Sequence, residues 1–275
     1  MSSERLELPE PSQAVLRAAR ALLRPKERRA SGTFLAEGPQ AVREALKVPG
    51  VVQSVFFRWA AVHDHVDLLE AARAANVPHY AVSEQNIATI TDTVTPQGVV
   101  AVCRAIDVPL AEAIPDGAGL VVICAQIRDP GNAGTVIRCA DAFGADAVIL
   151  SADSVEVYNP KTVRASVGSI FHLPVVIGVD LAGAIDACRA AGLQVFATDG
   201  EAATELTDLA DELHRPTAWV MGNESWGLPT EQLQLADRSV AVPIYGAAES
   251  LNLATAAAVC LYASASAQHL NQSGD

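Results

Sequence analysis

Hydrophobic positions fall into two rhythms along this chain. Short unbroken apolar runs, such as Leu120 to Ala125, Ala147 to Leu150 and Thr217 to Met221, read as strands buried on both faces. Between them, apolar residues recur three and four positions apart, the spacing of a helix with one buried face. The first such helix spans residues 12–24, with Ala14, Leu16, Ala18, Leu22 and Leu23 set among arginines. Arg24 to Gly32 reads as a loop and Thr33 to Ala36 as a short strand. Glu37-Gly38-Pro39 then turns the chain into a helix from Gln40 to Lys47, with Pro39 suited to a first helical position. Val51 to Phe57 predicts a strand, Ala60 to Ala75 a helix, and Pro78 to Val82 a strand. A helix capped by Ser83 follows, then the strand Gly98 to Ala105. Asp107 to Gly119, rich in proline and glycine, reads as a linker.

Beyond it, strands and helices alternate. After Leu120 to Ala125 come a helix from Asn132 to Phe143, the strand at Ala147, and a polar stretch, Tyr158 to Ser169, that is a short helix or loop. Leu173 to Ile177 is a strand, Leu181 to Ala191 a helix, and Gln194 to Thr198 and Thr217 to Met221 are strands. A short helix near Glu231, the strand Ser239 to Ile244 and a long Ala-rich helix to Ala267 complete the pattern. Ser250 or Asn252 is placed to cap that last helix. Such alternation predicts a parallel, doubly wound α/β sheet, which binds its ligands at the carboxyl ends of the strands.

Composition narrows the class. Half of the 275 residues are hydrophobic and 19 % are charged, enough to bury a core. No apolar run reaches the roughly 18–20 residues of a membrane helix. The start, Met-Ser-Ser-Glu-Arg, lacks a hydrophobic signal core, so a cytoplasmic protein is expected. Five scattered cysteines contain no C-x-x-C pair and read as reduced core thiols. The net charge of −13 is unevenly spread: residues 1–105 carry 12 lysines and arginines against 11 acids, and residues 106–275 carry 7 against 21. Basic residues concentrate from Arg17 to Arg29. Arg24, Lys26, Arg28 and Arg29 are therefore candidate RNA phosphate contacts, although a solvated helix face would carry the same pattern.

Three glycine-containing turns, each directly after an apolar strand, are the candidates for chemistry. The first, Gln126 to Arg138, holds Asp-Pro-Gly-Asn ahead of a helix on which Gly134 and Arg138 lie four apart, leaving bare backbone beside a guanidinium. In the second, Val220 to Pro229, Gly222 and Gly227 frame Glu224. The third runs from Val242 through Gly246 to Asn252. Each taken alone is also what a strand, a tight turn and a capped helix require. Neither G-x-G-x-x-G after a strand, nor a P-loop, nor G-x-S-x-G occurs, which argues against standard dinucleotide, nucleotide and serine-hydrolase sites. His63 and His65 are two apart and His172 stands alone, so no metal site is expected.

Taken in order, the three turns resemble the SpoU/TrmH family of the SPOUT methyltransferase superfamily, and in particular rRNA methylases of the thiostrepton-resistance type. The resemblance rests on Asn132-x-Gly134-x-x-x-Arg138, on Gly222-x-Glu224-x-x-Gly227-Leu228, and on Pro243 through Gly246 to Ser250-Leu251-Asn252. Asn159-Pro160-Lys161 and Arg164-Ala165-Ser166-x-Gly168-Ser169 look like further family elements. Phe34-Leu35-Ala36-Glu37-Gly38 is similar to the L30e-like RNA-binding domain that often precedes the catalytic one. Ala254-Thr255 departs from the family pattern. The resemblance implies an L30e-like α/β domain at 1–105, a linker at 106–118, and a SPOUT parallel-sheet domain with a trefoil knot at 119–275. It implies S-adenosylmethionine as cofactor, a homodimer, no metal, and 2′-O-methylation of a ribose in structured RNA, with rRNA preferred and tRNA possible. Arg138 would be the key catalytic residue, its permanently charged guanidinium suited to holding phosphate or oxyanion rather than to accepting a proton. Asn132 would orient Arg138 or the RNA, and Glu224, Ser250 and Asn252 would shape the catalytic pocket. Met221, Gly222, Asn223, Ile244, Ser250 and Leu251 would hold the cofactor. A non-catalytic RNA-binding protein and an enzyme acting on a small nucleotide metabolite are the competing readings.

Overall fold

The structure is a computed structural model that describes residues 8–272. The amino-terminal residues on which the expectation about an export signal rests lie outside the described residues, as does the extreme carboxyl end. The chain forms two compact units, residues 8–106 with 158–171, and residues 107–157 with 172–272.

The first unit opens with helices α1 (Gln13–Ala21) and α2 (Pro25–Ser31). There follow β1 (Thr33–Glu37), α3 (Pro39–Lys47), β2 (Val52–Arg58), a 3₁₀ turn (Trp59–His65), α4 (Val66–Ala74), β3 (His79–Val82), α5 (Glu84–Thr89) and β4 (Val99–Arg104). The strands lie in the order β1-β4-β2-β3, antiparallel except for the β2–β3 pair. Leu16, Ala19 and Leu22 of the first helix pack with Leu35, Phe56, Ile87 and Val100 in one apolar core. Two expectations change here. The stretch after Arg24 is a helix, not a loop: Pro25 starts it, Gly32 ends it at a φ of 61°, and Arg28 is buried in it. The Arg28 guanidinium donates to the Leu22 carbonyl at 2.7 Å, closing the end of the preceding helix. The helix expected from Ala60 to Ala75 is divided, because His65 leaves helical geometry (φ −128°) while its ring meets the Gln97 carbonyl at 3.0 Å.

The second unit holds α6 (Leu110–Ala113), β5 (Leu120–Cys124), α7 (Pro130–Ala142) and β6 (Ala147–Ser151). The chain then leaves it for α8 (Pro160–Ser166), which belongs to the first unit. It returns for β7 (Val175–Val179), α9 (Leu181–Ala190), β8 (Gln194–Thr198), β9 (Thr204–Glu205), β10 (Thr217–Met221), α10 (Thr230–Leu233), β11 (Arg238–Ala241) and α11 (Leu253–Gln272). Seven parallel strands run in the order β7-β6-β5-β10-β8-β11-β9. The central strands are buried throughout, which is why they read as unbroken apolar runs.

The segment expected to be a linker is part of this unit. Val108 N–H donates to the Val175 carbonyl, and Ala113 and Ala118 are buried in the core under the sheet. Segment 158–171, expected in the catalytic half, packs on the first unit instead. Phe34 stacks on Tyr158 with centroids 4.5 Å apart, and Arg164 pairs with the buried Glu37 at 3.4 Å. On the other side of the β5–β10 pair, α11 is fixed by the buried Trp219 indole, which donates to the Ser264 hydroxyl at 2.9 Å. β11 stops at Ala241, short of the expected Ile244, since Pro243 has no N–H to continue a ladder.

Candidate active site

The carboxyl ends of β5, β10, β8 and β11 lie side by side, so the loops after them meet at one edge of the sheet. Local chemistry shapes the first of these loops. Gln126 takes a left-handed conformation (φ 56°), Asp129 caps α7 by accepting from the Asn132 N–H at 2.9 Å, and Pro130 occupies the first helical position. In the second, Asn223 and Gly227 exchange backbone hydrogen bonds at 2.9 and 3.0 Å to close a tight hairpin. Gly222 is required there: a Cβ would lie 2.6 Å from the Gly227 carbonyl carbon and 2.8 Å from the Leu228 nitrogen. Gly227 itself turns at a φ of 65°.

These loops are tied together by a chain of hydrogen bonds. The Asn223 side chain donates to the Gln126 carbonyl at 2.7 Å. The Glu224 carboxylate accepts from the backbone N–H groups of Arg128 and Asp129, at 3.1 and 3.0 Å, and from the Asn132 amide at 3.2 Å. Asn132 in turn accepts from the Asn252 amide at 3.1 Å. Asn252 caps α11, accepting from the N–H groups of Ala254 and Thr255 at 2.9 and 3.3 Å. One residue from each of the three turns thus takes part in a single network. Burial raises the Glu224 pKa, and the N–H groups of Arg128 and Asp129, its own backbone and the Asn132 amide more than offset that, leaving it below the usual carboxylate value. The carboxylate is therefore ionised at neutral pH and acts as an acceptor.

Beside this network opens a cleft of about 550 Å³, within the range of small-ligand sites. Met221, Gly222, Asn223, Glu224, Ile244, Ser250 and Leu251 all line it. Asn132 and Asn252 adjoin it through the hydrogen bonds above. Arg138 does not line it: this arginine is exposed on α7, while Gly134 is buried in the same helix. Residues the sequence reading overlooked also line the cleft. Thr198 ends β8, Asp199 and Gly200 follow it, and Glu205 lies on β9. The signal was a Thr-Asp-Gly turn directly after an apolar run, of the same kind as the three turns singled out.

Electrostatically the cleft has one sign. Asp199, Glu205, Glu224 and Glu249 line it, and among the described residues no lysine, arginine or histidine does. Such a wall attracts a cation and repels phosphate. Its apolar part, from Met221, Val240, Ile244, Leu251 and Ala256, suits a flat ring or a thioether. Among the described residues no three His, Cys, Asp or Glu side chains are placed to hold a metal ion, and no helix is long and apolar enough to cross a membrane. Of the candidate phosphate contacts on the first unit, Arg24, Lys26 and Arg29 are exposed. Arg28 is withdrawn from that role by its burial and its bond to Leu22.

Comparison with known proteins gives a consistent picture. The family described as SpoU rRNA Methylase matches residues 119–262, and the MRM3-like substrate binding domain matches residues 14–101. The chain is 37 % identical over 237 residues to the 23S rRNA (guanosine(2553)-2′-O)-methyltransferase RlmP of Bacillus subtilis, covering 86 % of this chain and 90 % of that one. Among solved structures it is similar to the SpoU methyltransferase AviRb from Streptomyces viridochromogenes in complex with the cofactor AdoMet. The TM-score is 0.79 at 30 % identity, over 94 % of this chain and 100 % of that one. An AdoMet-bound rRNA methyltransferase from Sinorhizobium meliloti superposes with a TM-score of 0.77 at 31 % identity, over 94 % and 96 % of the two chains.

Proposed function

The chain belongs to the SpoU rRNA methylase family, and from that premise we propose that it methylates a ribose 2′-hydroxyl of 23S ribosomal RNA using S-adenosylmethionine. The observation that carries this reading is the single-signed cleft at the carboxyl edge of the sheet. Four carboxylates, with no lysine, arginine or histidine beside them among the described residues, suit a ligand that presents a sulfonium and an ammonium. When bound, S-adenosylmethionine supplies an electrophilic methyl group.

This chain's residues do the rest. Met221, Gly222, Ile244 and Leu251 would hold the cofactor through the cleft wall, the bare Gly222 letting the Gly227 backbone close the hairpin beside it. Glu224, Asn132 and Asn252 fix the three loops relative to one another, so that the wall is set before the substrate arrives. Among the described residues no histidine or cysteine lines the cleft, and Glu224 is a weakened base. Alignment of the hydroxyl and stabilisation of its developing charge therefore carry the reaction. Arg138, permanently charged, would supply that stabilisation.

The reading includes a homodimer. Val259 and Tyr262 of α11 remain exposed on the helix packed against α7, and Arg138 on α7 lies outside its own chain's cleft. Association through this surface is the route by which Arg138 would reach a reacting ribose. It also includes a trefoil knot, supported by the packing of α11, last in sequence, on the central β5 and β10. The first unit would serve as the RNA-binding domain, and the cytoplasm, where unmodified rRNA is found, as the place of action. The test is transfer of label from methyl-labelled S-adenosylmethionine to 23S rRNA from cells lacking the gene, followed by mapping of 2′-O-methyl positions. A new methylated ribose is expected. Label on no RNA, from protein that binds the cofactor, would overturn the assignment.

A further inference from the structure

Two aromatic rings stand exposed on the two loops that wall the cleft. Trp226 is 56 % exposed and Tyr245 88 %. Trp226 sits between the cleft residues Ser225 and Gly227, and Tyr245 directly follows Ile244, another. Elsewhere in this unit aromatic rings are paired: Phe196 meets Trp219 and Phe143 meets Tyr262. Among the described residues neither Trp226 nor Tyr245 has such a partner. Disorder of the turn does not explain the exposure of Trp226. Asn223 holds the backbone on both sides of it, accepting from Ser225 N–H at 2.8 Å through its side chain and from Gly227 N–H at 3.0 Å through its carbonyl. A large aromatic side chain is thus presented to solvent from a fixed backbone, at the mouth of the site.

Charge selects what the rings receive. A ribose entering this site brings phosphates on either side, and the carboxylate-lined wall repels them. The nucleobase is the uncharged part of the nucleotide, and its face stacks on Trp and Tyr whatever its identity. A base can do so only when it is unpaired and unstacked from its neighbours. Resting on the methyl-transfer reading above, we propose that Trp226 and Tyr245 form a stacking platform for an unpaired nucleobase at the target site. The enzyme thereby selects a ribose in a single-stranded loop.

The test uses the full chain, protein-free 23S rRNA from cells lacking the gene, and methyl-labelled S-adenosylmethionine. Trp226→Leu and Tyr245→Leu keep apolar volume but remove the stacking face; Trp226→Phe keeps a ring. The Leu variants should raise KM for RNA by roughly tenfold or more, and the Phe variant by much less. Cofactor affinity by calorimetry and mass by sedimentation should match wild type in all three. A DNA oligonucleotide annealed across the mapped target should abolish transfer by wild type. A wild-type KM in both Leu variants, or undiminished transfer on the annealed RNA, would overturn the proposal. So would a raised KM accompanied by loss of cofactor binding or of the oligomer, since the rings would then serve cofactor or assembly. Wild type that methylates no RNA would instead remove the methyl-transfer reading, and this inference with it.

Discussion

At the scale of single residues, Glu224 is the side chain on which the site depends. Its carboxylate accepts three hydrogen bonds that fix the 126–132 loop, and those bonds hold its pKa below the ordinary value against the opposing effect of burial. Glu224→Gln keeps the shape but turns one acceptor into a donor facing N–H groups. The expected loss is about 1–2 kcal/mol in urea unfolding at pH 7. A lowered folded pKa contributes stability above the unfolded value, near 4.3 for glutamate, that disappears as pH falls through the folded value. The gap between wild type and variant should therefore narrow as pH falls below the unfolded value and close once it passes the lower folded one, and a gap that persists in acid would mean that the ionised form is not what matters. Arg138 makes a different demand, because its proposed work is on charge in the transition state. Arg138→Lys should lower kcat by an order of magnitude or more while the Kd for S-adenosylmethionine, by calorimetry, stays put. Near-normal turnover would take Arg138 out of the mechanism. In the sequence Glu224 is framed by Gly222 and Gly227, whereas the role of Arg138 rests on the family resemblance. Asp199 sits in a Thr-Asp-Gly turn of the same kind, but that it and Glu205 join the site follows only once β8 is known to lie between β10 and β11, a fact of long-range strand order.

Among the elements, the legible ones were those whose stability is local or whose burial is complete. β5, β6 and β10 are buried on both faces and so read as apolar runs. Ser83 caps its helix as a short polar residue before an apolar period should, whereas α7 starts at Pro130 under an Asp129 cap, two residues ahead of the expected Asn132. α2 was hidden, since Lys26, Glu27, Arg28 and Arg29 give no apolar period, and Arg28 anchors it to the Leu22 carbonyl rather than to a hydrophobic face. The packing of 158–171 was hidden for a related reason: Phe34, which it covers, is distant in sequence. Asn252 joins element to site, capping α11 with its oxygen and holding Asn132 with its nitrogen. Two substitutions separate those tasks. Asn252→Asp retains the cap acceptor, so stability should stay within about 0.5 kcal/mol of wild type, but the donor to Asn132 is gone and methyl transfer should fall. Asn252→Ala should lose about 1 kcal/mol as well. Full turnover in the Asp variant would mean that the link between the first and third turns is dispensable.

On the scale of the whole molecule, charge and architecture pose one problem. The part of the chain after residue 105 has three times as many acids as bases, and its cleft carries four carboxylates. RNA is drawn to a protein mainly by release of counterions from phosphate, so the attraction must come from elsewhere. The first unit offers it on one stretch: Arg17, Arg20 and Arg24 line a groove along α1, and Lys26 and Arg29 are exposed on the next helix. Arg24 also meets Glu27 at 3.4 Å, but both are solvent-facing and such a pair holds little energy against a phosphate. Arg28 contributes to the fold rather than to this field. Replacing Arg24, Lys26 and Arg29 together by Gln should therefore leave unfolding and cofactor affinity unchanged while weakening binding to 23S rRNA. Each lost phosphate contact removes roughly 0.7–0.9 from the slope of log K against log salt, so the triple variant should be flatter by roughly two. Arg28→Gln is the contrasting variant, expected to lose stability through the freed Leu22 carbonyl. Filter binding across a salt series separates the outcomes. If the triple variant keeps both the affinity and the slope of wild type, the arginines only solvate two helices, and the phosphate contacts are to be sought around the exposed Arg128 and Arg138.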